Sequence, residues 1–192
     1  MECLRALIAE DEQLTRTIIR DRLEKLGHIV VAEAADGQQA VELTRLHKPD
    51  VVIMDIKMPV LDGIEAARMI LDDVPCAILF LSSFNEQELV EQASATGALA
   101  YLMKPFRKED LAPAIEMAIA RFKQIQAQRK EIDDLKDTLE TRKLIERAKG
   151  ILMDRHGMSE EEAFKRIHFQ ARNQNKKMRE IAQSIVTAAD LI

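Results

Sequence analysis

VVIMDIKMP, residues 51–59, places four apolar residues directly before an acidic one, Asp55. Such a run predicts a buried β-strand, and the Met58-Pro59 pair prevents the strand from continuing. The strand therefore ends in a carboxylate. In a parallel sheet, the carboxyl ends of the strands are where ligands and chemistry collect.

The residues on either side of this strand alternate between apolar runs and amphipathic segments. Further strands are predicted at 4–9, 28–32, 77–81 and 99–103. This alternation with short connections predicts an α/β fold, a doubly wound five-stranded parallel sheet with helices on both faces. The predicted helices carry the stripe Leu14, Ile18, Leu23 and Leu26 before Gly27, then the face Ala40, Val41 and Leu46, then residues 63–71, and then 86–96 before Gly97.

Polar side chains stand where four of the predicted strands end. They are Glu10 and Asp11, Asp55, Ser82 and Lys104. Any one of them alone has an ordinary role as a cap, a turn residue or a solvated charge. Three carboxylates in one cleft repel one another unless a cation joins them, and oxygen ligands of this kind suit Mg²⁺. Asp55 is then placed to attack phosphorus and form an aspartyl-phosphate, with Lys104 and Ser82 taking up charge on the phosphoryl oxygens.

The segments IAEDE (8–12), VVIMDIKMP with Asp62-Gly63 after it, FLSS (80–83) and YLMKPF (101–106) resemble the receiver domain of bacterial response regulators. The resemblance implies a flavodoxin-like fold with strand order 2-1-3-4-5 and phosphorylation of Asp55 by a histidine kinase. It also implies that Mg²⁺ is bound by Glu10, Asp11, Asp55 and the main-chain carbonyl of Lys57. Ser82 and Tyr101 match the two switch positions, and Lys104 matches the phosphoryl-binding lysine. Glu10 stands where many members have Asp, and Ser82 stands where many have Thr.

A long helix is predicted after the fifth strand, because neither Gly nor Pro occurs between Pro113 and Gly150. Pro113 suits a first helical turn, and a helix from there to Arg155 would be roughly 65 Å long. Part of it should pair with something. The heptad reading, with Arg121 and Arg142 as exceptions, favours a short coiled coil or dimer seam, and the alternative is a helix that folds back on its own chain. The heptad positions are Ala118, Ile125, Gln128, Ile132, Leu135 and Leu139.

Three helices in the last fifty residues or so predict a small all-α bundle. The first ends at His156-Gly157, the second opens with a capping box at residues 159–162, and residues 173–175 end it. The predicted buried positions are Leu144, Ile145, Ala148, Ile151 and Leu152 in the first helix, Ala163, Phe164, Ile167 and Ala171 in the second, and Met178, Ile181, Ala182 and Ile185 in the third.

Charge is distributed unevenly along the chain. Residues 1–120 hold 12 Lys and Arg against 21 Asp and Glu, whereas residues 121–192 hold 16 against 12, for net charges of −9 and +4. Six basic residues and no acidic residue lie between Ala163 and Arg179. Such a run is either a solvated face or a nucleic-acid contact, and the Asn and Gln residues among the charges could bond to base edges in unpaired loops.

RKLIERAKGILM (142–153), SEEEAF (159–164) and KKMREIAQSIV (176–186) resemble the ANTAR domain, the output module of antitermination regulators. The resemblance implies binding to paired stem-loops in nascent messenger RNA by a homodimer. The helical Gly150 suggests close approach of another helix or of RNA. The candidate RNA contacts are Arg142, Arg147, Lys149, Lys176, Lys177 and Arg179.

Together these observations predict a receiver domain at 1–120, a helical linker at 121–143 and an ANTAR domain at 131–192. The predicted function is a response regulator that is not an enzyme, that dimerises on phosphorylation and that acts in transcription antitermination. A DNA-binding regulator and a protein-sequestering adaptor remain as alternatives. A haloacid-dehalogenase-type phosphatase is disfavoured because Lys57 stands where that family has its second Asp. No signal peptide or apolar span is found, so a cytoplasmic protein with reduced Cys3 and Cys76 is expected.

Overall fold

The computed structural model describes residues 3–83 and 100–190, apart from the side chains of Lys108 and Asp190. The predicted helix at 86–96, Gly97 and Leu99 lie outside the described residues. Contacts divide the chain into two units, Met1–Gln126 and Ala127–Ile192, and each unit is described by itself. No helix in the described ranges is both long enough and apolar enough to cross a membrane.

The first unit contains a five-stranded sheet in the order β2-β1-β3-β4-β5, and every neighbouring pair of strands is parallel. The predicted fold class and strand order are therefore confirmed. β3 is buried at all five positions, as its apolar sequence predicts for a central strand covered on both faces. The strands are β1 (Arg5–Ala9), β2 (Ile29–Ala34), β3 (Val51–Asp55), β4 (Ala77–Ser83) and β5 (Ala100–Lys104).

Helices cover both faces of this sheet. α2 (Gly37–His47) and α3 (Gly63–Asp73) pack on one face, and α1 (Gln13–Lys25) packs on the other. The predicted inward stripes of α1 and α2 are partly wrong, because Leu14, Ile18 and Leu46 are exposed. α1 buries Leu23, as predicted, together with Ile19, and this pair is turned by about 140° from the Leu14 and Ile18 pair.

The long helix α4 extends over Lys108–His156 and therefore begins before Pro113, which lies in its second turn rather than its first. A proline there removes only the hydrogen bond that the carbonyl of Glu109 would accept. The Asp110 carboxylate accepts a hydrogen bond from the Arg107 N–H, 2.8 Å long, at the start of the helix. Ala118 is fully buried against the sheet, so it belongs to the core of the first unit and not to a dimer seam.

The middle of α4 is exposed on all sides. Every residue from 127 to 140 is exposed, including Ile132, Leu135 and Leu139, and Leu135 is 63% exposed. Within the described residues the chain returns to this part of the helix through ion pairs from Arg179 to Asp137 and Glu140, and not by packing on its apolar side chains. Its apolar heptad positions are left open to solvent.

The second unit packs the end of α4 against α5 (Glu160–Asn173) and α6 (Met178–Asp190). The Ser159 side chain and Glu162 form the predicted capping box, and Gly157, with φ of 61°, follows the last residue of α4. Phe164 is exposed rather than buried. A Cβ added at Gly150 would meet no described atom within 4 Å, so the expected approach of another helix is wrong. The core consists of Ala148, Leu152, Ala163, Ile167, Ala171, Ile181, Ala182 and Val186.

Candidate functional site

Three carboxylates meet at the carboxyl edge of the sheet. Glu10 and Asp11 directly follow β1, and Asp55 is the last residue of the neighbouring strand β3. One oxygen from each of the three lies within 4.8 Å of the others. The two strands are parallel and adjacent, so their ends bring these side chains together as the sequence predicts. Carboxylate oxygens at this spacing could hold a divalent cation, and hard cations such as Mg²⁺ prefer oxygen ligands.

Lys104 reaches the same cluster from the end of β5. Its Nζ atom donates to Glu10 Oε2 and to Asp55 Oδ2, and both distances are 2.7 Å. Burial alone would lower the pKa of the Lys104 ammonium. Its hydrogen bonds to Asp55 and Glu10, with the charges of both, outweigh that effect, so its pKa lies above the usual value. The ammonium is therefore a fixed positive charge beside Asp55.

Glu10 is the most buried member of the cluster, with 1% of its surface exposed. Burial raises the pKa of Glu10; the Lys104 hydrogen bond lowers it and the Asp55 charge raises it again, and the net pKa lies above the ordinary value. An ionised Glu10 is thus under-compensated by Lys104 alone. A second cation would lower the free energy of the ionised cluster, and the three carboxylates are suitable ligands for such a cation.

Arg16 holds the main chain at Glu10 in place, a role that the sequence reasoning missed. Its Nη1 donates to the Glu10 carbonyl oxygen, and its Nε lies 3.3 Å from a carboxylate oxygen of Glu33. Arg20 pairs with the same Glu33 at 2.7 Å. The Arg16 side chain thus links α1 to the ends of β1 and β2. The one available signal was a basic residue one turn into the helix that follows the acidic run.

The loop after β3 is shaped by close backbone contacts. Gly63, the first residue of α3, donates its N–H to the Ile56 carbonyl at 2.8 Å. A Cβ at this position would lie only 2.1 Å from the Asp55 carbonyl oxygen. Asp62 caps α3 by accepting the Glu65 N–H at 2.9 Å. The pair Asp62-Gly63 therefore starts α3 directly against the main chain of Asp55, and Lys57 lies in the loop between them.

Ser82 and Tyr101 lie on β4 and β5. Asp55 pairs in register with Leu81, so the buried Ser82 stands one residue beyond Asp55 on the adjacent strand. Tyr101 is three residues before Lys104 on the edge strand, and it is 56% exposed. Ser82 is thus at the same edge of the sheet as the carboxylates, whereas the Tyr101 side chain is on the surface.

The six basic residues predicted to contact RNA are in different environments. Lys149 is only 7% exposed, and its Nζ donates to Glu146 at 2.9 Å and to Glu160 at 2.7 Å. These hydrogen bonds, to Glu160 first, raise the pKa of Lys149. Arg179 pairs with Asp137 and with Glu140 of α4.

The other four predicted contacts are exposed. Arg142 and Arg147 lie on α4, and Lys176 and Lys177 adjoin each other in the turn between α5 and α6. The structure therefore brings the last two together and holds Lys149 and Arg179 in ion pairs within the chain.

Exposed aromatic residues on α5 are a further feature that the sequence reasoning missed. Phe169 is exposed, and Phe164 lies in a stacked pair with His168, their ring centroids 6.4 Å apart. The exposure of Phe169 could have been predicted, because helical spacing places it on a different side of α5 from Ala163, Ile167 and Ala171.

Comparison with known proteins gives matches along both units. The model for the response regulator receiver domain matches residues 6–116, and that for the ANTAR domain matches residues 133–186. The chain is 50% identical over 182 residues to the transcriptional regulatory protein PdtaR of Mycobacterium tuberculosis, which covers 95% of this chain and 89% of the relative. It is 40% identical over 116 residues to the chemotaxis protein CheY of Bacillus subtilis, covering 60% of this chain and 97% of CheY.

Solved structures match the first unit. The signal receiver domain of a modulated diguanylate cyclase from Desulfovibrio desulfuricans superposes with a TM-score of 0.60 and 31% identity, over 64% of this chain and 98% of that one. The response regulator domain of Thermotoga maritima CheB gives a TM-score of 0.58 and 30% identity, over 62% and 98%.

Proposed function

The chain belongs to the response regulators that join a receiver domain to an ANTAR domain, and from this premise we propose that phosphorylation of Asp55 controls RNA binding. The phosphoryl donor is a histidine kinase, and the output is transcription antitermination. The relative PdtaR is named a transcriptional regulatory protein, which fits that output. The receiver occupies residues 1–120, the linker helix 121–143 and the ANTAR domain 131–192.

The observation that carries the phosphorylation step is the cluster of Asp55, Glu10, Asp11 and Lys104. An Asp55 carboxylate oxygen forms the new P–O bond while the P–N bond of a phosphohistidine breaks, and the imidazole nitrogen leaves with the electron pair. Lys104, now 2.7 Å from Asp55 Oδ2, is close enough to bind a phosphoryl oxygen after transfer. The buried Ser82 hydroxyl supplies a second donor from the adjacent strand.

Mg²⁺ is the cofactor that the donor set fits. Glu10, Asp11 and Asp55 would hold it, together with the main-chain carbonyl of Lys57. When bound, the ion supplies positive charge that stabilises the phosphoryl oxygens. Lys104 remains the protein's own cation at the site, oriented by Glu10 and Asp55. Arg16, through the carbonyl of Glu10, keeps the end of β1 in place.

The signal leaves the site through Ser82 and Tyr101. Ser82 moves toward the phosphoryl group, and the exposed Tyr101 ring turns inward into the space that this movement opens. Because Tyr101 lies on the edge strand β5, its movement changes the surface of the sheet edge. This is the local change that biases the oligomeric state.

The output is a homodimer that forms on phosphorylation. Ile132, Leu135 and Leu139 provide an exposed apolar stripe for a second copy of α4. The ion pair from Arg179 reaches Asp137, which is about 140° around the helix from Ile132. The bundle contact therefore lies on the other side of α4 and leaves the stripe open. Two paired bundles would then meet two RNA stem-loops, a bivalent arrangement that raises the apparent affinity.

Fluorescence anisotropy tests this proposal. The full chain is titrated, with Mg²⁺ and with or without beryllofluoride as a phosphoryl mimic, into a two-hairpin RNA and into a DNA duplex of equal charge. We expect preference for the RNA and tighter binding with the mimic. Asp55→Asn is the control and should bind RNA without responding to the mimic.

Two results would overturn the proposal. Equal, salt-sensitive binding to RNA and DNA would mean that the basic residues are a solvated surface that attracts nucleic acids without specificity. Absence of RNA binding, with the exposed stripe of α4 capturing another protein, would favour the adaptor function.

A further inference from the structure

The outward face of α5, defined by Lys165, Arg166, Phe169 and Arg172, has no role in the bundle core. Phe169 is 60% exposed. It lies two residues after the buried Ile167, which puts it about 160° around the helix from the side that packs. Burial therefore does not explain why a large aromatic residue stands at this position.

Cations surround Phe169 on the helix surface. Lys165 precedes it by four residues, Arg166 precedes it by three and Arg172 follows it by three, spacings at which side chains on a helix are neighbours. Lys165 forms an exposed pair with Glu161, which is weak in water. Among the residues that the structure describes, Arg166 and Arg172 have no acidic partner. The ring is thus flanked by three charges that are available to an anion.

A stacked pair of rings lies on the same helix as Phe169. The rings of Phe164 and His168 stack with an interplanar angle of 18°. The chain has only six phenylalanines, and two of them are exposed on α5. Aromatic surface is therefore concentrated on the helix that carries a run of positive charge without any acidic residue from Ala163 to its end.

The combination of a ring and flanking cations selects the occupant. A second copy of this face would bring three positive charges against three others, which charge repulsion disfavours. An unpaired nucleotide offers a flat base to the ring and phosphates to the cations, and this is how aromatic and basic residues recognise single-stranded loops.

We propose that Phe169 is the stacking platform for an unpaired loop base of RNA, and that Lys165, Arg166 and Arg172 bind the phosphates next to that base. This assignment rests on the proposed function, and it places RNA binding on a surface that contains none of the predicted RNA contacts. Lys149 and Arg179, held in ion pairs, then support the bundle rather than the RNA.

Substitution of Phe169 in the full chain tests the assignment. Phe169→Ala should weaken binding to a hairpin RNA by between about 5-fold and 150-fold, since stacking on an aromatic residue is worth roughly 1–3 kcal/mol per base. Phe169→Trp should keep the affinity. Leu46→Ala, which removes another exposed apolar side chain from the first unit, is the matched control and should change nothing.

Two further measurements separate stacking from charge. A 2-aminopurine base in the loop should lose fluorescence on binding to the wild type and to Phe169→Trp, but not to Phe169→Ala. Arg172→Gln should reduce the slope of log affinity against log salt by about 1, whereas Phe169→Ala should leave that slope unchanged.

The possible failures are distinguishable. If wild-type protein binds no RNA, the proposed function fails. If it binds RNA and Phe169→Ala binds equally well, the proposed function stands and the stacking assignment is overturned. The assignment is also overturned if Phe169→Ala loses binding to anionic vesicles or to an acidic protein while its RNA affinity is unchanged.

Discussion

The same substitution, glycine to alanine, should have opposite effects at two helical positions of this chain. At Gly63 the new Cβ would lie 2.1 Å from the Asp55 carbonyl oxygen, 3.0 Å from its carbon and 3.1 Å from the Ile56 Cα. All three are backbone atoms, so no rotamer change can make room. We expect Gly63→Ala to destabilise the first unit by about 3 kcal/mol, the upper end of the usual range for overpacking. Its affinity for Mg²⁺ should fall as well, because the main chain of Asp55 must move.

At Gly150 the new Cβ would meet no described atom within 4 Å. Only the intrinsic preference of a helix for alanine then acts, which is worth about 1 kcal/mol. We expect Gly150→Ala to stabilise the second unit and to raise its melting temperature by about 4–8 °C, the shift typical of a domain of this size.

The two units can be followed separately in the intact protein. Tyr101 is the only tyrosine and the chain has no tryptophan, so intrinsic fluorescence reports the first unit alone. Far-UV circular dichroism follows the helices of both units. Once fluorescence has identified the transition of the first unit, the remaining transition is that of the bundle. Unchanged fluorescence melting for Gly63→Ala would mean that α3 does not start against Asp55. A lower melting temperature for Gly150→Ala would mean that some part of this chain occupies the space beside Gly150.

Three further predictions concern other elements. His28 is buried, and its Nδ1 accepts the Leu4 N–H at 3.3 Å, whereas its Nε2 has no hydrogen-bond partner in the described part of the chain; burial lowers the pKa of His28 below 6.5. The unfolded chain therefore binds more protons, so the contribution of the neutral His28 to stability should be present above pH ~6.5 and be lost as the pH falls through the lowered pKa. Denaturant titrations at several pH values give the free energy of unfolding, and its dependence on pH should be weaker for His28→Gln than for the wild type. Ser159→Ala removes the cap of α5 and should cost about 1 kcal/mol in the bundle transition alone. Leu139→Asp should abolish dimerisation with beryllofluoride, measured by light scattering, while leaving the melting of both units unchanged, and a dimer that persists would place the interface elsewhere.

The meeting of Glu10, Asp55 and Lys104 follows from sequence because parallel strands share an edge. Each residue comes directly after, or at the end of, a run of apolar residues. Once the alternation of strands and helices is recognised, the ends of the strands must lie together. The carboxylate cluster could therefore be predicted without any knowledge of side-chain packing, whereas the strand order came from the resemblance to receiver domains.

Which apolar residues of a helix face inward could not be predicted in the same way. α1 has two apolar stripes, and the residues themselves do not show that Ile19 rather than Ile18 packs on the sheet. On α5 the neighbouring pair Ala163 and Phe164 presents the same ambiguity, and the smaller residue is the one that packs. Close packing favours small residues where helices approach each other, so hydrophobicity alone misassigns the larger one.

The sequence also did not show which charged residues form ion pairs. Lys149 pairs with Glu160 across the turn between α4 and α5, and Arg179 pairs with Asp137, 42 residues earlier. Contacts between residues so far apart depend on the packing of the bundle. The sequence gives the positive charge of this region, but only the structure separates the cations that hold helices together from those that remain available.

The double ion pair of Lys104 also governs its reactivity toward acylating reagents. An amine is a nucleophile only when it has lost its proton, and the raised pKa keeps Lys104 protonated. Acyl phosphates carry two electrophilic centres, a carbonyl carbon that acylates amines and a phosphorus atom that a carboxylate can attack. At this site the amine is suppressed and Asp55 remains. A small acyl phosphate should therefore leave a phosphoryl group on Asp55 and spare Lys104, even while it acetylates exposed lysines elsewhere on the chain.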